Sequence, residues 1–539
     1  MYIPLTPLRF LHRAKDLFAS KIGIVSGDLQ FTYGEFSERC ERLADALLQL
    51  GLEPGDRAAY LSFNTHQLLE GYYGVVQARG VIMPLNVRLS EPEILNILRH
   101  ATPKVVLFEE DFAATLDRLR PDCPFVTHWV SIGTVAAEAI GPADVTYEEL
   151  IERGRPHQAD IFSYDEMSIA ELFYTSGSTG TPKGVMLSHR TLYLHALDIV
   201  YQYRDPDKIV DLHTIPMFHA NGWGRPQTSV LLGTKQVMVR RYEPTFVFRM
   251  IQEHGATDLC LVPTMLNALM HAADRSHWNL SSLRRIMIGG AASSPELVER
   301  AEAAFPGCEC VSGYGLTETT PVITCSFSKG FVASSDAERR KVQSMAGWSI
   351  PGAVIRVVDE EMRDVPRDRR AVGEVVAMSD HVMDGYYREP EATAAVMSGG
   401  PDGPHVWFHT GDMAVWDETG CIQIVDRKKE IIISGGENIS SIEVEAAIFA
   451  HPSVLECAVV AAPDPKWGEV PAAIICLKPH ATLTEAELVA FVEERLGHFK
   501  IPRRIEFSTE PLPKTGTGKI RKMLLKERYW QGKEKRVQG

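Results

Sequence analysis

Hydrophobic and polar residues alternate along most of the chain in a pattern typical of short buried strands followed by amphipathic helices. In one example, the mainly apolar run 285–288 precedes a helical stretch over residues 296–305. A Gly-Gly turn separates the two, and Pro295 with one of the two serines before it suits a helix start. From about residue 20 to 425 this alternation predicts βαβ units on a largely parallel sheet.

The pattern changes after about residue 426. A basic turn and a short strand over 430–433 precede a second Gly-Gly turn, a helical stretch over 442–449 and two more apolar runs. Farther on, Thr484 and Glu487 form a capping-box pattern, and the apolar positions after them share one helical face. These features predict a separate small α+β domain.

Composition narrows the class of protein. Of the 539 residues, 45% are hydrophobic and 23% charged, as in folded globular proteins, and nine scattered cysteines are too few for a disulfide framework. The net charge of −14 and the lack of a long basic run argue against nucleic acid as a partner. No apolar stretch approaches the roughly 20 residues that span a bilayer, and residues 1–15 lack the order of a signal peptide. We therefore expect no membrane span and a cytoplasmic location.

The segment YTSGSTGTPKG, residues 174–184, is rich in glycine and hydroxyl residues and contains a lysine. Such a loop can present backbone N–H groups, hydroxyl donors and a cation to polyphosphate oxygens. The Walker spacing is not met, because two residues separate Gly180 from Lys183. The segment predicts a phosphate-binding loop of a different kind, with a flexible surface loop as the alternative.

Several further segments are ambiguous when each is taken alone. In GYGLTETTP, residues 313–321, an aromatic ring, hydroxyls and one carboxylate lie close together, and a carboxylate is a ligand that Mg²⁺ accepts. Downstream follow HTGD (409–412), DRKKE (426–430), SGGEN (434–438) and PKTGTGKIRK (513–522). Each of them could serve a nucleotide or lie on the surface.

In this order, the segments resemble the adenylate-forming superfamily of acyl-CoA synthetases, amino-acid adenylation domains and luciferases, over roughly residues 10–525. The finer similarity is to short- and medium-chain acyl-CoA synthetases, including the 3-methylmercaptopropionate-CoA ligases of dimethylsulfoniopropionate breakdown. The resemblance implies an α/β fold, with a large N-terminal domain over 1–428 built of sheet and helix subdomains. A smaller, mobile α+β C-terminal domain would span 429–539. It also implies the use of ATP, Mg²⁺ and CoA, a small carboxylic acid as substrate, and a homodimer.

The resemblance assigns expected roles in binding ATP. The β- and γ-phosphates would contact Thr175, Ser176, Gly177, Ser178, Thr179, Gly180 and Lys183. The adenine would lie between Tyr314 and the segment formed by Gly289, Gly290 and Ala291. Thr317 would contact the α-phosphate, Glu318 would ligate Mg²⁺, and the ribose would bind Asp412 with Arg427 nearby.

It also implies that two half-reactions share one pocket. Lys519 would be the adenylation lysine, which stabilises the charge that develops between the acyl carboxylate and the phosphate. Lys429 would be the hinge residue, with a solvated lysine in a basic turn as the alternative. After rotation about the hinge, Gly435, Gly436 and Glu437 would replace Lys519 beside a tunnel for the CoA thiol.

The segment PMFHANGWG, residues 216–224, would approach the acyl group. His219 stands where amino-acid adenylation domains typically have an aspartate, which disfavours an amino-acid substrate. We expect His219 to gate the thiol tunnel, and Trp223 to narrow an acyl pocket that includes Asn221, Gly289 and Gly290. The alternatives are a hydrogen-bonded structural histidine and a core tryptophan. A narrow pocket predicts a short or medium-chain acid, including one like 3-methylmercaptopropionate.

The resulting prediction is an AMP-forming acyl-CoA synthetase. Three rivals stay open at this point: an acyl-AMP ligase that loads a carrier protein, a luciferase-like oxygenase, and a non-catalytic module that binds a nucleotide or acyl-AMP. The presence of both Glu318 and Lys519 argues against the module, because pure binding needs neither residue.

Overall fold

The computed structural model describes residues 2–133, 144–175, 182–203, 205–291, 293–327, 333–399, 405–434, 437–514 and 520–531. The α-helices are α1 (Leu8–Phe18), α2 (Tyr33–Gln49), α3 (His66–Gln77), α4 (Glu91–Ala101), α5 (Ala113–Leu119), α6 (Tyr147–Arg153), α7 (His189–Val200), α8 (Arg225–Leu232), α9 (Pro244–His254), α10 (Pro263–His271), α11 (Pro295–Ala304), α12 (Asp336–Ser344), α13 (Pro390–Ala394), α14 (Ser441–Phe449), α15 (Glu485–Glu493) and α16 (Lys522–Trp530).

The strands are β1 (Ile22–Ser26), β2 (Leu29–Thr32), β3 (Arg57–Leu61), β4 (Val81–Pro84), β5 (Val105–Glu109), β6 (His128–Ile132), β7 (Val145–Thr146), β8 (Ile169–Thr175), β9 (Lys183–Ser188), β10 (Val210–His213), β11 (Lys235–Met238), β12 (Asp258–Leu261), β13 (Arg285–Ile288), β14 (Glu309–Gly315), β15 (Val322–Cys325), β16 (Trp348–Ser349), β17 (Ala353–Val358), β18 (Gly373–Ser379), β19 (Gly385–Tyr386), β20 (Met397–Gly399), β21 (Val406–Trp416), β22 (Ile422–Arg427), β23 (Ile432–Ser434), β24 (Glu437–Ile439), β25 (Val454–Asp464), β26 (Gly468–Leu477) and β27 (Arg504–Ser508).

The chain forms two compact units. Unit 1 comprises Met1–Ile355 and Ala377–Phe408, and unit 2 comprises Arg356–Val376 and His409–Gly539. The boundary predicted between residues 428 and 429 marks a hinge about which a domain rotates, and it stays a prediction.

Unit 1 is built on two large mixed sheets. The nine-stranded sheet has the order β16-β15-β14-β13-β12-β10-β11-β1-β2, and the eight-stranded sheet has the order β19-β9-β8-β4-β3-β5-β6-β7. The pairs from β14 through β13, β12, β10 and β11 to β1 are parallel. The alternation of strands and helices therefore predicted the α/β class and the parallel core of this unit correctly.

Helices cover both faces of these sheets. One buried cluster joins helices α1, α2 and α3 to residues of both sheets, for example Ile24 and Met238 of the first and Val105 and Phe173 of the second. Separate clusters lie on the outer face of each sheet. The result is a layered α/β arrangement in which parallel strands are buried on both sides.

Local signals in the sequence fix the helix starts. Ser294 caps α11 by accepting a hydrogen bond from the Leu297 amide at 3.2 Å, and Pro295 occupies the first turn. In unit 2, the capping box of Thr484 and Glu487 opens α15, as predicted. The apolar residues that follow it on one helical face line the core of that unit.

Unit 2 contains a five-stranded sheet of order β24-β23-β26-β25, with β27 paired to β26. A predicted strand over 430–433 is observed as Ile432–Ser434, and a predicted helix over 442–449 begins one residue earlier, at Ser441. The expected small α+β domain is therefore present in this part of the chain. Within the described residues, no helix has the length and apolar character that crossing a bilayer requires.

A buried ion cluster ties α16 to the rest of unit 2. The Lys522 side chain is 14% exposed, and its Nζ lies 2.8 Å from Glu445 Oε1 and 3.5 Å from Glu430 Oε2. Burial lowers the pKa of Lys522, but the neighbouring carboxylates outweigh it, so the pKa is raised and the ammonium stays charged. Burial conversely raises the pKa of Glu445, which Lys522 partly offsets.

The Lys522→Met variant is expected to lose about 3–5 kcal/mol of the stability of unit 2, because Glu445 is left buried without its cation. Lys500→Met is the matched control, since Lys500 forms a more exposed ion pair with Glu443 at 2.6 Å; its loss should be at most about 1 kcal/mol. The loss of stability in each variant is measured by guanidinium denaturation, with hydrogen exchange of unit 2 peptides as the readout. Equal losses of stability in the two variants would show that the buried cluster stabilises unit 2 no more than the exposed ion pair does.

Candidate active site

Strands β8 and β9 hold both ends of the predicted phosphate loop together. They pair antiparallel, and the last matched residues are Thr175 and Lys183. The predicted loop residues Ser176, Gly177, Ser178, Thr179 and Gly180 lie outside the described residues. The hairpin nevertheless fixes where the loop leaves and re-enters the sheet, with a lysine at its re-entry point.

Glu318 lies in a short 3₁₀ turn, Thr317–Thr319, which follows β14. Its carboxylate oxygen Oε1 accepts a hydrogen bond from the hydroxyl of Tyr386 at 2.9 Å. The ring of the same tyrosine lies under Lys183, with 4.8 Å from Nζ to the ring centroid. The structure thus brings the predicted phosphate-binding lysine and the predicted metal ligand together, through one aromatic residue.

Sequence reasoning missed Tyr386. Its position depends on β19 pairing with β9, in which Tyr386 matches Val185, about two hundred residues earlier in the chain. A two-residue strand leaves no periodic pattern, so no signal in the sequence marks it.

The glycine turn after β13 packs against Trp223. A Cβ atom on Gly289 would lie 2.8 Å from the indole Cη2 and 3.0 Å from the carbonyl oxygen of Gly313, so only glycine fits. Gly290 has a positive φ of 73° and is exposed, as is Ala291. Tyr314, on β14, packs against the same buried cluster as Trp223. The predicted adenine and acyl-pocket residues are therefore neighbours.

The backbone around Trp223 is left-handed over five consecutive residues, from Ala220 to Gly224, with φ between 46° and 74°. Non-glycine residues rarely adopt this conformation, and such strain clusters at ligand sites. Gly224 is required here, because a Cβ would lie 2.5 Å from the ring of buried His195. Asn221 is buried, and among the described residues none donates a hydrogen bond to its Oδ1. His219 precedes this turn and is partly exposed.

In unit 2, Asp412 and Arg427 face each other across the β21–β22 pair. Arg427 Nε lies 2.7 Å from Asp412 Oδ1, with the aspartate side chain 4% exposed and the arginine side chain 46% exposed. The predicted ribose-binding pair is therefore formed. Lys428, which directly follows β22, contacts β18, with its Nζ 3.0 Å from Glu374 Oε2.

Two further predicted residues, Lys429 of the hinge and Glu437 of the thioester-forming group, belong to the same unit. Lys429 occupies the turn after β22, which the Glu430 amide closes by donating to the Arg427 carbonyl at 2.8 Å. Glu437 begins β24 and is exposed. Gly435, Gly436 and Lys519 lie outside the described residues.

Glu318 suits Mg²⁺ as a lone protein carboxylate. Among the described residues, no cluster of three or more His, Cys, Asp or Glu side chains is arranged to hold a metal. Mg²⁺ is commonly bound through one or two carboxylates together with substrate phosphates, so a dedicated protein cage is not needed. The residues present therefore fit a metal that arrives with the nucleotide.

A cavity of about 440 Å³ in unit 1 is lined by none of the predicted site residues, although Tyr387, next to Tyr386, forms part of its wall. It is lined by residues at the starts of β3, β4 and β8, among them Arg57, Val81 and Ile169. The phosphate loop leaves the opposite end of β8. The cavity is therefore separate from the candidate active site.

The comparison with known protein families identifies the class of this protein. The AMP-binding enzyme family matches residues 11–387, and the AMP-binding enzyme C-terminal domain matches residues 443–519. The chain belongs to the AMP-binding enzyme family.

Individual relatives agree with this assignment. The chain is 38% identical over 529 residues to the long-chain-fatty-acid–CoA ligase of Thermus thermophilus, covering 96% of this chain and 95% of that one. It is 35% identical over 538 residues to 4-hydroxybutyrate–CoA ligase 2 of Metallosphaera sedula, covering 97% and 94%. The crystal structure of the anthranilate CoA ligase AuaEII in complex with anthranoyl-AMP superimposes with a TM-score of 0.87 at 25% identity, covering 98% of each chain.

These findings confirm several expectations. The protein is an AMP-forming acid–thiol ligase that acts on a carboxylic acid and uses ATP, Mg²⁺ and CoA. The predicted fold class, a large N-terminal α/β domain with a smaller C-terminal domain, is also confirmed.

Proposed function

We propose that this ligase activates a short or medium-chain acid, a fatty acid or one like 3-methylmercaptopropionate, and transfers it to CoA. The observation that carries the proposal is the indole of Trp223 against Gly289, which leaves little width beside the glycine turn. A long acyl chain would need a channel lined by small residues at this place. Each additional buried CH₂ contributes about 0.8 kcal/mol, so neighbouring chain lengths should differ only about fourfold in kcat/KM.

In the first half-reaction, a carboxylate oxygen of the acid attacks the α-phosphorus of ATP, and the bond to the β-phosphate bridging oxygen breaks. Acyl-AMP and pyrophosphate result. We assign Lys183 and the loop before it to the β- and γ-phosphates, Thr317 to the α-phosphate and Lys519 to the charge that develops between the reactants. Glu318 would hold Mg²⁺, which would neutralise charge on the phosphate oxygens.

In the second half-reaction, the CoA thiol attacks the acyl carbonyl, AMP leaves with the acyl-oxygen bond electrons, and the thiol proton passes to solvent. We assign Lys429 to the hinge, and Gly435, Gly436 and Glu437 to the pantetheine tunnel that the rotation completes. His219 is assigned to the gate of that tunnel, and Asp412 with Arg427 to the ribose.

The acyl acceptor and the products of the reaction distinguish this proposal from its rivals. A carrier-protein ligase would form acyl-AMP without turnover on free CoA, a luciferase-like oxygenase would emit light with a luciferin, and a binding module would bind ATP without pyrophosphate exchange. Relatives named as CoA ligases favour free CoA. The homodimer and the cytoplasmic location stay predictions.

Pyrophosphate release with ATP, Mg²⁺ and CoA across acetate to decanoate, benzoate, 3-methylmercaptopropionate and several amino acids tests the proposal. We expect a maximum at short or medium chains, thioester formation that requires CoA, and no response to amino acids. Pyrophosphate release that rises through decanoate and is larger still with the long-chain acid palmitate would contradict the narrow pocket.

Two variants at the glycine turn should move the chain-length profile in opposite directions. Trp223→Ala removes the indole and should shift the optimum to longer acids, with about fourfold gained per additional CH₂. Gly289→Ala places a methyl group against Gly313 and the indole and should shift it to shorter acids. Ratios of kcat/KM between acids cancel any loss of folded protein. Unchanged ratios in both variants would remove these residues from the acyl pocket.

The Lys519→Ala variant should lose about 10²–10³-fold in acyl-AMP formation, since it removes a charge-stabilising group from the transition state. Thioester formation from supplied acyl-AMP should persist. Lys514→Ala is the matched control, because Lys514 belongs to the same segment but is paired with Glu456. Acyl-AMP formation is measured by ATP–pyrophosphate exchange. An equal loss of both half-reactions in Lys519→Ala would show that the assigned role is wrong.

A further inference from the structure

Residues 379–387, here called the clamp segment, bind the turn that carries Glu318. The amide of Met383 donates to the carbonyl oxygen of Glu318 at 2.8 Å. The Thr320 hydroxyl donates to the carbonyl oxygen of His381 at 2.6 Å, and His381 Nδ1 lies 3.2 Å from the carbonyl oxygen of Thr319. Three successive residues of the turn are thus held by one segment.

The same segment also binds strand β9, which begins with Lys183. The amide of Asp384 donates to the Met186 carbonyl at 3.0 Å, and the amide of Tyr387 donates to the Gly184 carbonyl at 2.7 Å. The clamp segment therefore sets the spacing between the start of β9 and the glutamate turn.

Tyr386 is the residue of the clamp segment whose side chain reaches both partners. Its hydroxyl donates to Glu318 Oε1, its ring lies under Lys183 Nζ, and its amide donates to Thr393 Oγ1 at 2.9 Å. The residue is only 7% exposed, so the ring has little room to move. Burial and the adjacent Glu318 raise the pKa of Tyr386 above its ordinary value, so the phenol stays a donor at neutral pH.

We propose that Tyr386 is a positioning residue for Mg²⁺. Its hydroxyl fixes one oxygen of the Glu318 carboxylate and thereby orients the group as a metal ligand, while its ring keeps the Lys183 ammonium beside that carboxylate. This inference rests on the proposed roles of Glu318 and Lys183. It adds a residue that touches neither the metal nor the nucleotide and acts through one that does.

Tyr387 offers a matched control, because it follows Tyr386 in the chain but its ring has other neighbours. Its ring packs edge-on against His100, with centroids 5.7 Å apart, and lies 5.8 Å from the Arg57 guanidinium carbon. A loss of one phenol hydroxyl from this segment can therefore be compared at two adjacent positions, of which only one contacts Glu318.

The test compares Tyr386→Phe with Tyr387→Phe. For Tyr386→Phe, the Mg²⁺ concentration that gives half-maximal pyrophosphate release should rise about tenfold, the size expected for losing a hydrogen bond to a charged group. For Tyr387→Phe it should stay within about twofold. Equal Mg²⁺ dependence in the two variants would overturn the inference.

Calorimetric titration with ATP gives a readout that needs no turnover. Mg²⁺ should tighten ATP binding to the unmodified protein relative to EDTA, and Tyr386→Phe should lose most of that gain while its affinity in EDTA stays unchanged. That unchanged affinity also shows that the variant is folded. A loss in EDTA as large as that in Mg²⁺ would identify a merely structural role.

A double-mutant cycle decides whether Tyr386 acts through the carboxylate. In a Glu318→Gln background, Tyr386→Phe should cause no further loss of the Mg²⁺-dependent gain in ATP affinity. A further loss of the same size would overturn the inference. If the unmodified protein forms neither acyl-AMP nor thioester with any acid, the proposed function fails instead, and the calorimetric comparison still tests Tyr386.

Discussion

The antiparallel pairing of β9 is the constraint on which the candidate site depends. On one side β9 pairs with β8, so that Thr175 and Lys183 close the base of the proposed phosphate loop. On the other side it pairs with β19, which delivers Tyr386 to Glu318. One six-residue strand therefore carries the lysine, anchors the loop and positions the residue that orients the carboxylate. Because register in a sheet moves in whole residues, a slip would turn these side chains to the opposite face.

Two glycines shape the proposed acyl pocket as much as its large side chains do. Gly289 lets the Trp223 indole approach the backbone, and Gly224 makes room for His195. The left-handed turn from Ala220 to Gly224 is costly for Asn221 and Trp223, and its persistence requires the surrounding packing to hold it. The shape of the proposed acyl pocket therefore depends on neighbours on α7 and β14, namely His195 and Gly313.

Sequence reasoning was most successful where chemistry is local. The capping box at Thr484, the serine cap of α11 and the α/β alternation were predicted because the deciding interactions span a few residues. The Asp412–Arg427 pair followed from a resemblance, and the structure adds the strand register that joins them. Tyr386 could not be predicted, because long-range strand pairing places it. The left-handed turn at Trp223 could not be predicted either, because tertiary packing imposes it against the local backbone preference.

In unit 2, one buried ion cluster connects the proposed hinge turn to the helices that follow it. Lys522 contacts Glu430 in the turn that contains Lys429, and it also contacts Glu445 and Ser441 of α14. Ser441 in turn donates from its amide to Asp426 at the end of β22. Since α16 follows the segment of Lys519 in the sequence, a single buried ammonium connects the proposed hinge turn to the helix after the proposed adenylation lysine. Rotation about Lys429 would move Glu430, α14 and α16 as one body, and it would have to break the hydrogen bond from Ser441 to Asp426, because Asp426 precedes the hinge.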